Sequence, residues 1–147
     1  MVAPPALLAR ATMCKQFSDA HTSTFAQATA AQYLQAGRMP ATLQNVRKVY
    51  AGRAKAMCEA LRLHLGEGLS FHEPMGGLFV WAKLTGKTGF TTDGNLLAKR
   101  AIEKGVAFVP GAPFFANNPD TTAIRLSFAT ADVEKIKEGI ARLGQAL

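Results

Sequence analysis

"GVAFVPGAPFFANNPDTTAIRLSFA", residues 105–129, contains two short apolar runs separated by a Pro-Gly turn and a polar loop. Runs of this length, rich in β-branched and aromatic residues and bounded by Gly, Pro, Asn and Asp, read as strands. The second run carries an arginine, Arg125, between Ile124 and Leu126. Side chains alternate across a strand, so Ile124 and Leu126 share one face, and Arg125 shares the other with Ala123 and Ser127. A guanidinium is costly to bury unless an anion meets it. Its planar fork suits a small carboxylate held by two parallel hydrogen bonds. The plainer alternative is a surface arginine or a structural ion-pair partner. Pro110-Gly111 can likewise be turn punctuation or backbone held close to a ligand.

Working outward, Asp132 begins a final helix with Val133, Ile136, Ile140 and Leu143 on one face. Upstream, Thr92 or Asp93 caps a helix through Leu96, Leu97, Ala101 and Ile102, and Gly105 stops it. "LSFHEP" (69–74) and "GGLFVWAKL" (76–84) read as two strands broken by Pro74 and Gly76-Gly77. The front of the chain is helical throughout. Pro4-Pro5 opens a helix to about Ser18, and Thr24 to Gln35 forms a second. A third runs from Pro40 to Leu65 and would be about 39 Å long at 1.5 Å per residue. Its stripe Leu43, Val46, Tyr50, Met57, Leu61 is expected to be buried where it meets the strand-bearing layer that follows. The order is three helices, two strands, helix, strand, strand, helix. It predicts an α+β fold: a small antiparallel or mixed sheet with helices on one face, preceded by helices including one long one.

Composition narrows the function classes. The 147 residues carry 17 Lys+Arg against 10 Asp+Glu, a net charge of +7. The charges are scattered, so they describe a solvated basic surface and predict no nucleic-acid contact through this segment. No stretch is apolar enough to span a membrane. Cys14 and Cys58 stand alone without CxxC spacing and read as small buried hydrophobes or as free thiols of a reducing compartment, and the cytoplasm is the expected location. His21, His64 and His72 lack metal-ligand spacing, and no metal site is expected. Gly86-Lys87-Thr88 resembles the end of a phosphate-binding loop, but that motif needs glycine where Trp81 stands. His21, Thr22 and Ser23 interrupt the first two helices. Helix capping by Ser18, Asp19 or Thr22 accounts for such a cluster without any further role.

Three blocks together add a resemblance. "FHEPMGGLFVWAKL", "AIEKGVAFVPGAPFF" and "AIRLSFATADVEKIKEGIARL" occur in that order over nearly the whole chain. They resemble the C-terminal part of pyridoxal-phosphate-dependent aminotransferases of fold type I, classes I and II. The similarity is to the branch with 2-aminoadipate and kynurenine aminotransferases and the aminotransferase-like domains of some bacterial regulators. The resemblance implies that Arg125 grips the substrate's α-carboxylate and that Gly77, beside Gly76, lies near the substrate. It implies that Pro110, Gly111 and Phe114 belong to a loop over the active-site mouth. His21, Thr22 and Ser23 match less closely a subunit-interface loop of a homodimer.

The same resemblance implies what lies elsewhere. The family's Schiff-base lysine sits in a serine-rich stretch just before a "VAPP" segment, and this sequence begins "MVAPP". No lysine here has that context. The resemblance therefore implies that residues 1–38 are a helical remnant of a large domain or dimer interface. Residues 39–147 would be the C-terminal small domain with a long interdomain helix. The parent would transfer an amino group between an amino acid and a 2-oxo acid using pyridoxal 5'-phosphate. This chain alone is expected neither to bind the cofactor nor to turn over. The alternative is the effector-sensing, aminotransferase-like domain of a transcription regulator. Exposed apolar surface is expected on the first two helices, where a large domain would pack.

Overall fold

A computed structural model describes residues 2–87, 89 and 91–147. Thr88 of the Gly86-Lys87-Thr88 turn lies outside the described residues. The chain divides into two compact units, Met1–Gln44 and Asn45–Leu147.

The first unit is helical. Helix α1 spans Pro5–Asp19 and α2 spans Thr24–Gln35. Pro5 occupies the first turn, where its missing N–H costs no hydrogen bond. Ser23 caps α2, its side chain accepting from the Ala26 N–H. Neither helix contains a buried residue; Leu7, Leu8, Met13, Phe17, Phe25 and Leu34 are all exposed. Helix α3, Met39–Leu65, begins in this unit.

In the second unit, α3 continues to Leu65, and a short 3-10 turn, Gly66–Gly68, leads into the sheet. Strands β1 (Leu69–Phe71), β2 (Phe79–Leu84), β3 (Val109–Pro110) and β4 (Ala123–Ser127) form one sheet in the order β1-β2-β4-β3. Every neighbouring pair is antiparallel. Along β2, residues alternate strictly between exposed and buried. Val80, Ala82 and Leu84 therefore face the core with Ile124 and Leu126, while Phe79, Trp81 and Lys83 point the other way.

Three helices supply the other side of the core: Met57, Leu61 and Leu65 of α3, Leu97 and Ala101 of α4 (Gly94–Glu103), and Ile136, Ile140 and Leu143 of α5 (Val133–Gly144). Both later helices start as the sequence predicts. Asp93 accepts from the Asn95 and Leu96 N–H groups, and Asp132 from the Lys135 N–H. The left-handed Gly105, with φ +74°, ends α4 by turning its N–H back to the Ile102 carbonyl.

Two expectations need correction. The stripe on α3 is only half buried: Met57 and Leu61 are interior, whereas Leu43 and Val46 are each 38% exposed. Packing against the core begins only at Tyr50 and Ala54, which sets where the apolar face finds a partner. The strand expected over 106–109 shrinks to Val109–Pro110. The Val106 N–H is already spent on the Ala101 carbonyl at 2.9 Å, closing the end of α4 instead of joining a ladder.

Candidate carboxylate site

Arg125 sits in the middle of β4, opposite Trp81 on one side and Val109 on the other. That register places it on the sheet face turned away from the helices. Its Cζ lies 4.3 Å from the centre of the Phe79 ring and 4.4 Å from that of Phe114. Trp81 packs edge-on to Phe114, with ring centres 5.8 Å apart, and Phe115 lies 6.0 Å from the same indole. A cation beside aromatic faces gains electrostatic attraction, about 0.5–2 kcal/mol per contact depending on desolvation.

The arginine has aromatic neighbours but, among the described residues, no anion beside it. Among the described residues it forms no ion pair, and its Nε is buried without a hydrogen-bond partner. A buried donor left unpaired costs about 1–3 kcal/mol. Asp120, on the loop leading into β4, is committed elsewhere. It pairs with Lys83 at 2.8 Å and accepts from the Thr122 N–H and hydroxyl at 2.9 and 2.6 Å. The Lys83 contact first, and the Thr122 bonds with it, hold its carboxyl down at about 2. Asp120 thus serves the loop and is not paired with the guanidinium.

The loop that brings Phe114 to Arg125 depends on close backbone approach. Pro110 opposes Ile124 at the sheet edge, a position that tolerates its missing N–H. The Gly111 N–H donates to the Ala123 carbonyl at 2.7 Å. A Cβ on Gly111 would lie only 2.5 Å from Ala123 Cβ and 2.7 Å from its carbonyl carbon. Gly111 has φ −80°, so the glycine is required by proximity and not by an unusual backbone angle. This contact also explains why Ala123, on the same strand face as Arg125, is fully buried. A 3-10 turn over Ala112–Phe114 then folds Phe114 back over the guanidinium.

The other sequence candidates make different contacts. Gly77, with φ +82°, lines a groove of about 750 Å³ with Tyr50, Arg62, Glu73, Gly76 and Phe128, and Phe79, two residues on, packs on Arg125. His21, Thr22 and Ser23 are exposed in the first unit. There the His21 Nδ1 lies 2.9 Å from the Thr22 carbonyl, and the Gln27 side-chain amide donates to that carbonyl at 2.8 Å. The cap of α2 comes from Ser23, a residue the capping alternative did not name. Phe79, Trp81 and Phe115 were not singled out as site residues. Alternation along "FVWAKL" puts Phe79 and Trp81 on one face, but nothing local reveals which strand they meet.

No group of metal-ligating side chains occurs among the described residues, and no helix there is long and apolar enough to cross a membrane. Every lysine of the chain is exposed. Lys15, Lys55, Lys83, Lys135 and Lys137 are paired with carboxylates. None offers the buried, partner-free amine from which a carbonyl cofactor could be held, so the residues of this chain do not by themselves fit pyridoxal phosphate.

The fold is a small α+β domain with an arginine set among aromatic rings on the sheet face away from the helices. Residues 3–143 match the aminotransferase class I and II family, and the chain belongs to that family. It is 42% identical over 146 residues to the 2-aminoadipate transaminase of Thermus thermophilus, covering 99% of this chain and 36% of that protein. It is 35% identical to aromatic-amino-acid aminotransferase 1 of Thermococcus litoralis, covering 100% of this chain and 34% of that one. Among solved structures, the α-aminoadipate aminotransferase of Thermus thermophilus, complexed with N-(5'-phosphopyridoxyl)-L-leucine, superposes with a TM-score of 0.86. That match has 40% identity and covers 99% of this chain and 36% of the other. The chain thus spans about a third of the length of the curated relatives it matches.

Proposed function

We propose that this chain is the carboxylate-binding small domain of an aminotransferase that moves an amino group between an amino acid and a 2-oxo acid. The observation that carries the reading is Arg125: a guanidinium beside two aromatic rings, with a buried Nε and no anionic partner among the described residues. An arginine kept for stability would be expected to have its carboxylate within the fold; this one is left for a ligand. Pro110, Gly111 and Phe114 act as the loop over that ligand, and the Gly76-Gly77 segment sets the position of Phe79. Pyridoxal phosphate would be held by residues other than these and would supply the electron sink for such a transfer. Residues 39–147 serve as the small domain. Residues 1–38 pack against a larger domain or a partner copy in a homodimer, with His21, Thr22 and Ser23 near that interface. The exposed apolar side chains of α1 and α2 support this placement. A regulatory ligand-sensing role would use the same arginine, but the relatives named above are transaminases, which favours the enzyme.

The test is Arg125→Lys in the protein as its gene encodes it. Lysine keeps the charge but loses the planar fork. Hydrogen bonds to charged groups contribute about 1.5–3 kcal/mol each, so losing the paired geometry should lower kcat/KM about a hundredfold or more. The thermal midpoint should move little. Intact turnover with a sharply lower midpoint would make Arg125 a structural residue and end the reading.

A further inference from the structure

We propose that Phe79 and Phe114 are positioning residues that hold the Arg125 guanidinium so that only its terminal nitrogens meet a carboxylate. The inference rests on the carboxylate reading of Arg125 and adds to it the device that aims the fork. The two rings come from different elements, Phe79 from β2 and Phe114 from the turn after β3. Both centres lie within 4.4 Å of Cζ, so the rings fill the space against the guanidinium carbon. Ligand oxygens can then approach only where the rings leave an opening. Nε is sealed, being buried without a partner, and it is the only side-chain nitrogen of Arg125 in that condition. The two Nη groups form the open end of the fork. An arginine side chain has several rotatable bonds and loses much rotamer freedom when it binds. Two aromatic walls fix its direction before the ligand arrives, so less ordering remains to be done on binding.

The rings have no comparable role in the core. Phe79 is 40% exposed and Phe114 50% exposed, and neither belongs to the buried cluster between sheet and helices. The contact that the two rings share is the one with the guanidinium. Trp81 and Phe115 support Phe114 from the side, which keeps the loop ring over its cation.

The test measures binding of 4-methylvalerate, a monocarboxylate with no amino group to transfer, to the protein as its gene encodes it. Arginine side chains are labelled with nitrogen-15, and the Arg125 Nε–H signal is followed through the titration. Phe79→Leu and Phe114→Leu keep apolar bulk but remove the aromatic faces. Each should weaken binding about tenfold, speed solvent exchange of the Nε–H, and leave the thermal midpoint nearly unchanged. Phe114→Tyr keeps the ring and should bind as the parent does. Arg125→Ala should abolish binding. If the leucine variants bind as tightly as the parent while Arg125→Ala does not bind, the positioning role is overturned and the carboxylate reading survives. The positioning role is equally overturned if they bind normally but melt earlier, because the rings would then be structural. If Arg125→Ala binds unchanged, the carboxylate reading fails and the positioning role falls with it.

Discussion

Gly111→Ala tests how the loop over Arg125 is held. The added Cβ would sit 2.5 Å from Ala123 Cβ, 2.7 Å from the Ala123 carbonyl carbon and 2.8 Å from its oxygen. Carbon atoms pack at about 3.5–4.0 Å, so the loop must retreat by about 1 Å. Two of the three obstructing atoms are backbone of the first residue of β4, paired to β2, and cannot swing aside as a side chain would. Overpacking of this kind costs about 1–3 kcal/mol. The retreat also stretches the bond from the Gly111 N–H to the Ala123 carbonyl, now 2.7 Å, which is worth about 0.5–1.5 kcal/mol. Together the expected loss is about 2–4 kcal/mol. Urea unfolding followed by Trp81 fluorescence reads both stability and loop position, since the indole packs on Phe114 and Phe115. Adding Ala123→Gly should recover only part of the loss, because it removes the Cβ contact and leaves the carbonyl contacts. Gly139→Ala is the control: it lies in α5 with nothing within 4 Å of its would-be Cβ, and should gain about 0.5–1 kcal/mol from helix propensity alone. A Gly111→Ala protein within about 0.5 kcal/mol of the parent, smaller than the usual cost of overpacking, would refute the close-approach argument.

Acid should loosen the entrance to β4. Asp120 is held down at about 2, so its folded carboxyl stays ionised well below the unfolded value. The stability it contributes is present above the unfolded pKa of about 4 and is lost as pH falls through about 2; an acid titration of the Thr122 amide signal should show this step, and Asp120→Asn should remove it. The two thiols should separate in alkylation kinetics: Cys14 is exposed and should react quickly, whereas Cys58 is buried, and burial chiefly, with Glu73 adding to it, raises its pKa. Equal rates for both in the folded protein would contradict the placement of Cys58 in the core.

Much of the fold was legible because its signals are local. Asp93 and Asp132 each precede an apolar helical pattern and bond to backbone two or three residues on, a relation visible in any short window. The order of helices and strands followed from the change of hydrophobic period after Gly68. Arg125 stood out because a permanent charge inside an apolar strand is costly wherever that strand lies. The likeness to aminotransferases came from blocks of residues and not from that physics, and it attached a role to the arginine that spacing could not.

What the chain alone could not disclose depends on contacts between distant segments. Register is one case. Trp81 opposes Arg125, and that pairing brings Phe79 to the guanidinium, yet a shift of one residue would send every side chain to the other face. Gly111 is another: its sequence context suggests a turn needing unusual angles, while the structure shows ordinary angles and a strand pressed against it. The α3 stripe is periodic along its whole length, but only the part beyond Tyr50 meets the core. Periodicity states which face of a helix is apolar. Where that face is covered is decided by the sheet and helices it packs against, and those partners lie far along the chain.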